Sequence, residues 1–175
     1  VLENYDVKTA LSGLDVSSII LMLNISGHDL NEIQKTVASF ENYGFKSIVL
    51  QVGFQRYPTK IEVSGLQKIS ILKSITSNKI CFADHIDANT QFSLDIPALA
   101  LAKGADMVEK HICVDRETAK YDSYSSSTAE EFKTIFDKIR LYLQASHGLF
   151  ISDDEKKYLE GSVQIPVLFH NIDNE

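Results

Sequence analysis

Val108-Glu109-Lys110-His111 closes an apolar run, and Ala83-Asp84-His85 closes an earlier one. In each, a histidine follows directly on a short hydrophobic segment, where a buried parallel strand would empty into a loop. Working outward, the chain repeats one kind of unit: a short apolar run, a loop, then an amphipathic helical stretch. The apolar runs are Ile19–Leu23, Ser47–Val52, Lys79–Ala83 and Ala105–Glu109. Continuous apolar strands alternating with helices predict a parallel sheet buried on both faces. The fold class is therefore α/β, built of about four TIM-barrel-type (βα) units, a half-barrel. In such barrels chemistry sits at the carboxyl ends of the strands.

The spacing predicts helices between the runs. Asp29 caps one that presents Leu30, Ile33, Val37 and Phe40 on one face, and Gly44 ends it. A second carries Leu66, Ile69 and Leu72, and a third runs from about Asn89 to Lys103 before Gly104. A fourth runs from Thr128 to Leu143, with Thr128 and Glu131 forming a capping box. Residues 5–14 read as the end of a preceding helix, and Ser152-Asp153-Asp154 as a capped turn. The domain organisation expected is one partial barrel over 1–150 and a C-terminal tail or linker over 151–175. That tail ends in the apolar stretch Val163–Phe169. Opening on Val1, the chain reads as a fragment, a processed product or the ordered part of something longer.

Composition narrows the function classes. The 175 residues hold 17 Lys and Arg against 24 Asp and Glu, a net charge of −7. An acidic chain without a basic cluster is a poor partner for nucleic acid. No segment approaches the ~18 apolar residues of a membrane helix, and Glu3, Asp6 and Lys8 interrupt any signal-peptide pattern. Cys81 and Cys113 lack CxxC spacing, which suits reduced thiols and a cytoplasmic location.

Three segments carry candidate chemistry. Alternation along the last strand puts Glu109 and His111 on one side, the interior of a barrel, while Lys110 points away and is assigned no chemistry. His85 leaves the neighbouring strand, so His85 and His111 form a candidate pair of ligands for a divalent metal with open positions. Separately, each histidine reads as a polar strand end. Gly53-Phe54-Gln55-Arg56-Tyr57-Pro58-Thr59 is a loop whose Pro58 restricts Tyr57 to extended geometry. It directs Gln55 and Tyr57 to sugar hydroxyls, or is an ordinary βα loop stiffened by proline. The capping box accounts for Thr128 but leaves Asp122 and Ser126 without a structural explanation. His28, His147 and His170 read as a turn, a helix end and tail.

Taken in order, Gly53-Phe54-Gln55-x-Tyr57-Pro58-Thr59, Asp84-His85, Glu109-Lys110-His111, Asp122 and Ser126 resemble the N-acetylneuraminate (sialic acid) synthase family from about Ile19 to Arg140. The resemblance implies strands five to eight of an eight-stranded barrel. The family joins phosphoenolpyruvate to N-acetylmannosamine or a related amino sugar, in surface polysaccharide biosynthesis. It further implies His85 and His111 as ligands of a manganese ion, with Glu109 beside the metal. Gln55, Tyr57, Asp122 and Ser126 fall on the substrate side, and Glu109 and Asp122 are the candidate catalytic groups. The chain departs from the family pattern at Ala83, where Ser is common, and at Asn24-Ile25-Ser26, where Ser-Thr-Gly is usual. Lys120-Tyr121 stands in place of Gly-Pro, and the first four strands and the antifreeze-like domain lie outside the sequence. The expectation is a half-barrel inactive alone, pairing with an N-terminal half-barrel or a second copy. The alternatives are a non-catalytic metal- or sugar-binding half-barrel interaction module, or a phosphoenolpyruvate-using synthase with another acceptor.

Overall fold

The computed structural model describes residues 5–161. The stretch Val163–Phe169 and His170 lie outside the described residues. The chain divides into two compact units, Val1–Tyr142 and Leu143–Glu175. In the first, α1 (Tyr5–Leu11) precedes β1 (Ile20–Asn24), α2 (Leu30–Tyr43), β2 (Ser47–Val52), α3 (Leu66–Ile75), β3 (Lys79–Asp84), α4 (Ile96–Ala102) and β4 (Met107–Lys110). The helix α5 (Ala129–Ser146) follows, and α6 (Asp153–Glu160) belongs to the second unit.

The four strands form one parallel sheet in the order β1-β2-β3-β4. Sequential order without a switch point lets every crossover helix lie on the same face, as in a barrel wall. Leu50, Val52, Ile80 and Phe82 face that way and join Ile33 and Phe40 of α2, Ile69 and Leu72 of α3, and Ile96 and Ala100 of α4 in one core. Burying a side chain of this size contributes roughly 1.5–3 kcal/mol. The opposite, concave face carries Met22, Val49, Gln51, Cys81, Ala83 and Glu109 by alternation. On that face Val49, Cys81 and Ala83 are buried, whereas Ile20 and Met22 of the edge strand β1 are 69% and 45% exposed.

Local chemistry explains the boundaries. Asp29 and Glu32 form a reciprocal capping box at the start of α2, and Gly44 closes it at φ 122°. Ser47–Val52 is a strand as the sequence predicts. The expected third helix begins late, at Ile96, because Pro97 fits only a first turn; residues 91–94 form a 3-10 turn instead. β1 starts at Ile20 because the amide of Ile19 closes the 3-10 turn on Val16. β4 starts at Met107 because Ala105 bonds back to Ala100, and Asp106 ties to Ile80 of β3. Thr128 and Glu131 cap α5, and Ser152 caps α6.

Candidate metal centre

Three loops and two strand ends build the site at the carboxyl edge of the sheet. Ala83 and Glu109 are register partners, so His85 and His111, two residues on, leave β3 and β4 side by side on the concave face. One ligand atom each from His85, Glu109 and His111 fall within 4.8 Å of one another. The sequence-predicted histidine pair is thus brought together, and Glu109 joins it.

His85 is held at both ends. Its carbonyl accepts the Thr59 amide at 2.7 Å and the Ser125 hydroxyl at 3.0 Å. Its Nδ1 lies 3.2 Å from the Phe54 carbonyl. A carbonyl only accepts, so the hydrogen-bond network places the proton on Nδ1 and leaves the Nε2 lone pair free. Burial pushes the imidazole below its usual 6.5 and keeps it neutral, the form that binds metal.

His111 is half-buried; its carbonyl accepts the Ser127 amide at 2.9 Å, and its Nδ1 stands 3.6 Å from a carboxylate oxygen of Asp122. Asp122 sits in the left-handed region at φ 51°, alone among the described non-glycine residues. Such a conformation persists where its surroundings impose it. Here the Ser126 hydroxyl, itself buried, donates to the Asp122 carbonyl at 2.8 Å. Ser126 therefore shapes the Asp122 loop, its hydroxyl engaged within the chain.

Tyr57 covers both imidazoles, its ring 4.3 Å from His85 and 5.4 Å from His111. Burial, then the charges of Asp122 and Glu109, push its phenol above the usual 10. It stays protonated and able to donate a hydrogen bond. Gln55 is exposed on the same loop. Gly53 lets this loop leave β2 against β3: at φ 150°, a Cβ would stand 2.4 Å from the Ala83 carbonyl oxygen.

Gln51 is the functional neighbour that sequence reasoning passed over. Its amide donates to the Glu109 carboxylate across the concave face. The signal was present: a glutamine inside Ser47-Ile48-Val49-Leu50-Gln51-Val52 is a polar side chain in a buried strand, in need of a partner. Lys110 points away from the concave face as predicted, yet its side chain is only 2% exposed and lies 2.9 Å from Asp84.

Two imidazoles and a carboxylate, one imidazole fixed by a backbone carbonyl, fit a divalent metal with positions left for water and substrate. The fold and site together define a parallel sheet of barrel-type (βα) units whose strand exits carry a group of side chains competent to hold a metal ion. The sequence model of the NeuB family matches residues 16–148, and the chain belongs to that family. The uncharacterized protein MJ1065 of Methanocaldococcus jannaschii is 33% identical over 121 residues, 69% of this chain and 34% of that protein. Pseudaminic acid synthase of Campylobacter jejuni is 34% identical over 84 residues, 48% of this chain and 23% of the enzyme. The crystal structure of N-acetylneuraminic acid (sialic acid) synthetase from Leptospira borgpetersenii aligns with TM-score 0.70 at 26% identity, covering 89% of this chain and 54% of that one. The chain thus spans about a third or less of these curated relatives and about half of the solved structure. Among the described residues, no helix is long and apolar enough to cross a membrane.

Proposed function

We propose that this chain is the metal-binding half of a nonulosonic acid synthase. The reaction is condensation of phosphoenolpyruvate with N-acetylmannosamine or a related N-acetylated amino sugar, a cytoplasmic step in surface polysaccharide biosynthesis. The observation that carries the reading is the convergence of His85, Glu109 and His111 beneath Tyr57 at the exits of β3 and β4.

His85 and His111 would hold a divalent ion, Mn²⁺ by the family resemblance, with Glu109 supplying a carboxylate beside them. When bound, the ion would supply Lewis-acid polarisation of the sugar's aldehyde, whose carbon joins C3 of phosphoenolpyruvate. The new carbon–carbon bond is followed by addition of water at C2 and departure of phosphate. Tyr57, kept protonated, donates to a sugar hydroxyl, and Asp122 accepts from another. Gln55 reaches the same substrate from its exposed position, and Ser126 serves the substrate side through the Asp122 loop it holds. Glu109 and Asp122 are the carboxylates at hand to take up and return protons.

Catalysis calls for a cover over the concave face, either an N-terminal half-barrel or a second copy of this chain. The exposed Ile20 and Met22 and the open edges of β1 and β4 support that pairing. A second reading, a non-catalytic metal- or sugar-binding module, is favoured by one feature. Ser26, at the exit where the family's phosphate-side residues fall, spends its hydroxyl on the Gly53 carbonyl.

Calorimetric titration of the chain with Mn²⁺, beside His85→Ala and His111→Ala, tests the metal site. Saturable binding lost in both variants is the expected result; a folded chain that takes up no Mn²⁺ refutes it. Release of phosphate from phosphoenolpyruvate with N-acetylmannosamine, with the covering half supplied, separates the enzyme from the module.

A further inference from the structure

Asp84 and Lys110 are the last residues of β3 and β4 and are register partners. Each immediately precedes one of the two histidines. Alternation sends their side chains to the helix-packed face, opposite the metal site. There they are buried, at 0% and 2% exposure, with Nζ and Oδ2 2.9 Å apart. The other Asp84 oxygen accepts the Ile86 amide at 2.9 Å. Beyond this ion pair, Asp84 Oδ2 and Lys110 Nζ have no directed hydrogen-bond partner among the described residues. Val108, Phe132, Ile135, Phe136 and Pro97 line the space beside Lys110.

Buried ion pairs seldom add net stability over well-packed hydrophobic residues, and their best-attested use is to fix register. We infer that the buried Asp84–Lys110 ion pair is a positioning device that ties the exits of β3 and β4 so that His85 and His111 meet on the other face. The reasoning is geometric. A strand that slips or tilts at its last residue carries the next side chain with it, and each histidine is one peptide away from a tied residue. A charge pair enclosed by apolar side chains has one partner available on each side, so it specifies one alignment. A hydrophobic contact tolerates several. Both residues are positioning residues; neither touches the substrate side.

The inference rests on the proposed metal site, so its test has a readout that needs no metal. Asp84→Asn with Lys110→Met removes the tie, keeps an acceptor for the Ile86 amide and leaves no uncompensated charge. Asp84→Glu keeps both charges but lengthens one arm by a methylene. Each variant and the parent chain are compared by the imidazole ¹⁵N spectrum without metal and by Mn²⁺ calorimetry, with circular dichroism as the control for folding. The parent should show His85 as the single Nδ1–H tautomer. In the double variant that signature should average between tautomers, and Mn²⁺ affinity should fall about 10–100-fold, the range for residues that orient metal ligands. Asp84→Glu should fall in the same direction. Parental spectra and affinity in a folded double variant overturn the inference. Should the double variant fail to fold, parental spectra and affinity in Asp84→Glu overturn it instead. A parent that binds no Mn²⁺ refutes the metal reading alone, and the tautomer spectra then decide on the positioning role.

Discussion

Gly53→Ala tests how closely β2 and β3 are pressed together below the site. At φ 150° an alanine is strained, and its Cβ would stand 2.4 Å from the Ala83 carbonyl oxygen, a full ångström inside the 3.4 Å at which ordinary contact begins. The neighbour is backbone within the sheet, so no side-chain rotation relieves it. The positive φ costs about 1–2 kcal/mol, and forcing extra volume into a packed site adds about 1–3 kcal/mol. Gly13→Ala is the control: φ is 83°, with nothing within 4 Å of the added Cβ. It should lose only the first term. With a urea slope of about 2 kcal/mol per molar, the unfolding midpoint should drop by roughly 1–2.5 M for Gly53→Ala and by about 0.5–1 M for Gly13→Ala. Relief of the clash moves the Ala83 carbonyl, two residues before His85, so Mn²⁺ affinity should fall in Gly53→Ala and hold in Gly13→Ala. Equal midpoint shifts, or parental Mn²⁺ affinity in Gly53→Ala, would refute the close approach as the reason for glycine here.

Two further outcomes follow from ionisation. Burial holds His85 below its usual 6.5, so the unfolded chain takes up this proton first as pH falls; the associated stability is present above about pH 6.5 and is lost as pH drops through the folded value. Urea midpoints at about pH 7.5 and about pH 5.5 should diverge in the parent and converge in His85→Ala. Hydrogen bonds from Arg116 hold the Glu131 carboxyl below its usual 4.5, and Glu131 also accepts the Thr128 amide at 2.8 Å. Glu131→Ala should cost about 1–2 kcal/mol at neutral pH. Its contribution is present above about 4.5 and lost as pH falls through the depressed value, so parent and variant midpoints should approach each other as the pH is taken progressively below 4.5.

What was legible in the sequence is what alternation and local caps encode. Asp29, Glu32 and Gly44 fix the ends of α2 without reference to the rest of the chain. The concave position of Glu109 and His111 follows from period two, and the partnership of His85 with His111 from the neighbouring strands. Register is a different matter. Nothing local to Gln51 announces Glu109, fifty-eight residues away, as its acceptor. Nothing local to Lys110 announces Asp84, because both are polar residues that single-strand reasoning sends to solvent. Sending Lys110 away from the interior was correct in direction; the helices packed over that face turn an outward lysine into a buried one.

The two faces of the sheet differ in how far this chain closes them. The helix-packed face is closed, with Phe82, Ile80 and Ile69 at 1% exposure or less. The concave face is closed only toward β2 and β3, where Val49, Cys81 and Ala83 are buried, and opens at β1 through Ile20 and Met22. The metal-competent group stands at the exits of β3 and β4, with His85 itself 3% exposed. Its donors and the groups that orient them, Phe54, Asp122 and Gln51, all belong to this chain. The exit of β1, where Ser26 bonds Gly53, belongs to the edge strand at which the concave face is open. On the proposed reading, binding of the ion would depend on residues already assembled here, whereas holding two substrates over it would depend on a cover for the open concave face. Mn²⁺ affinity should accordingly change little when the covering half is added, while condensation should go from absent to measurable; a metal site that forms only with the cover would place the organising contacts outside this sheet.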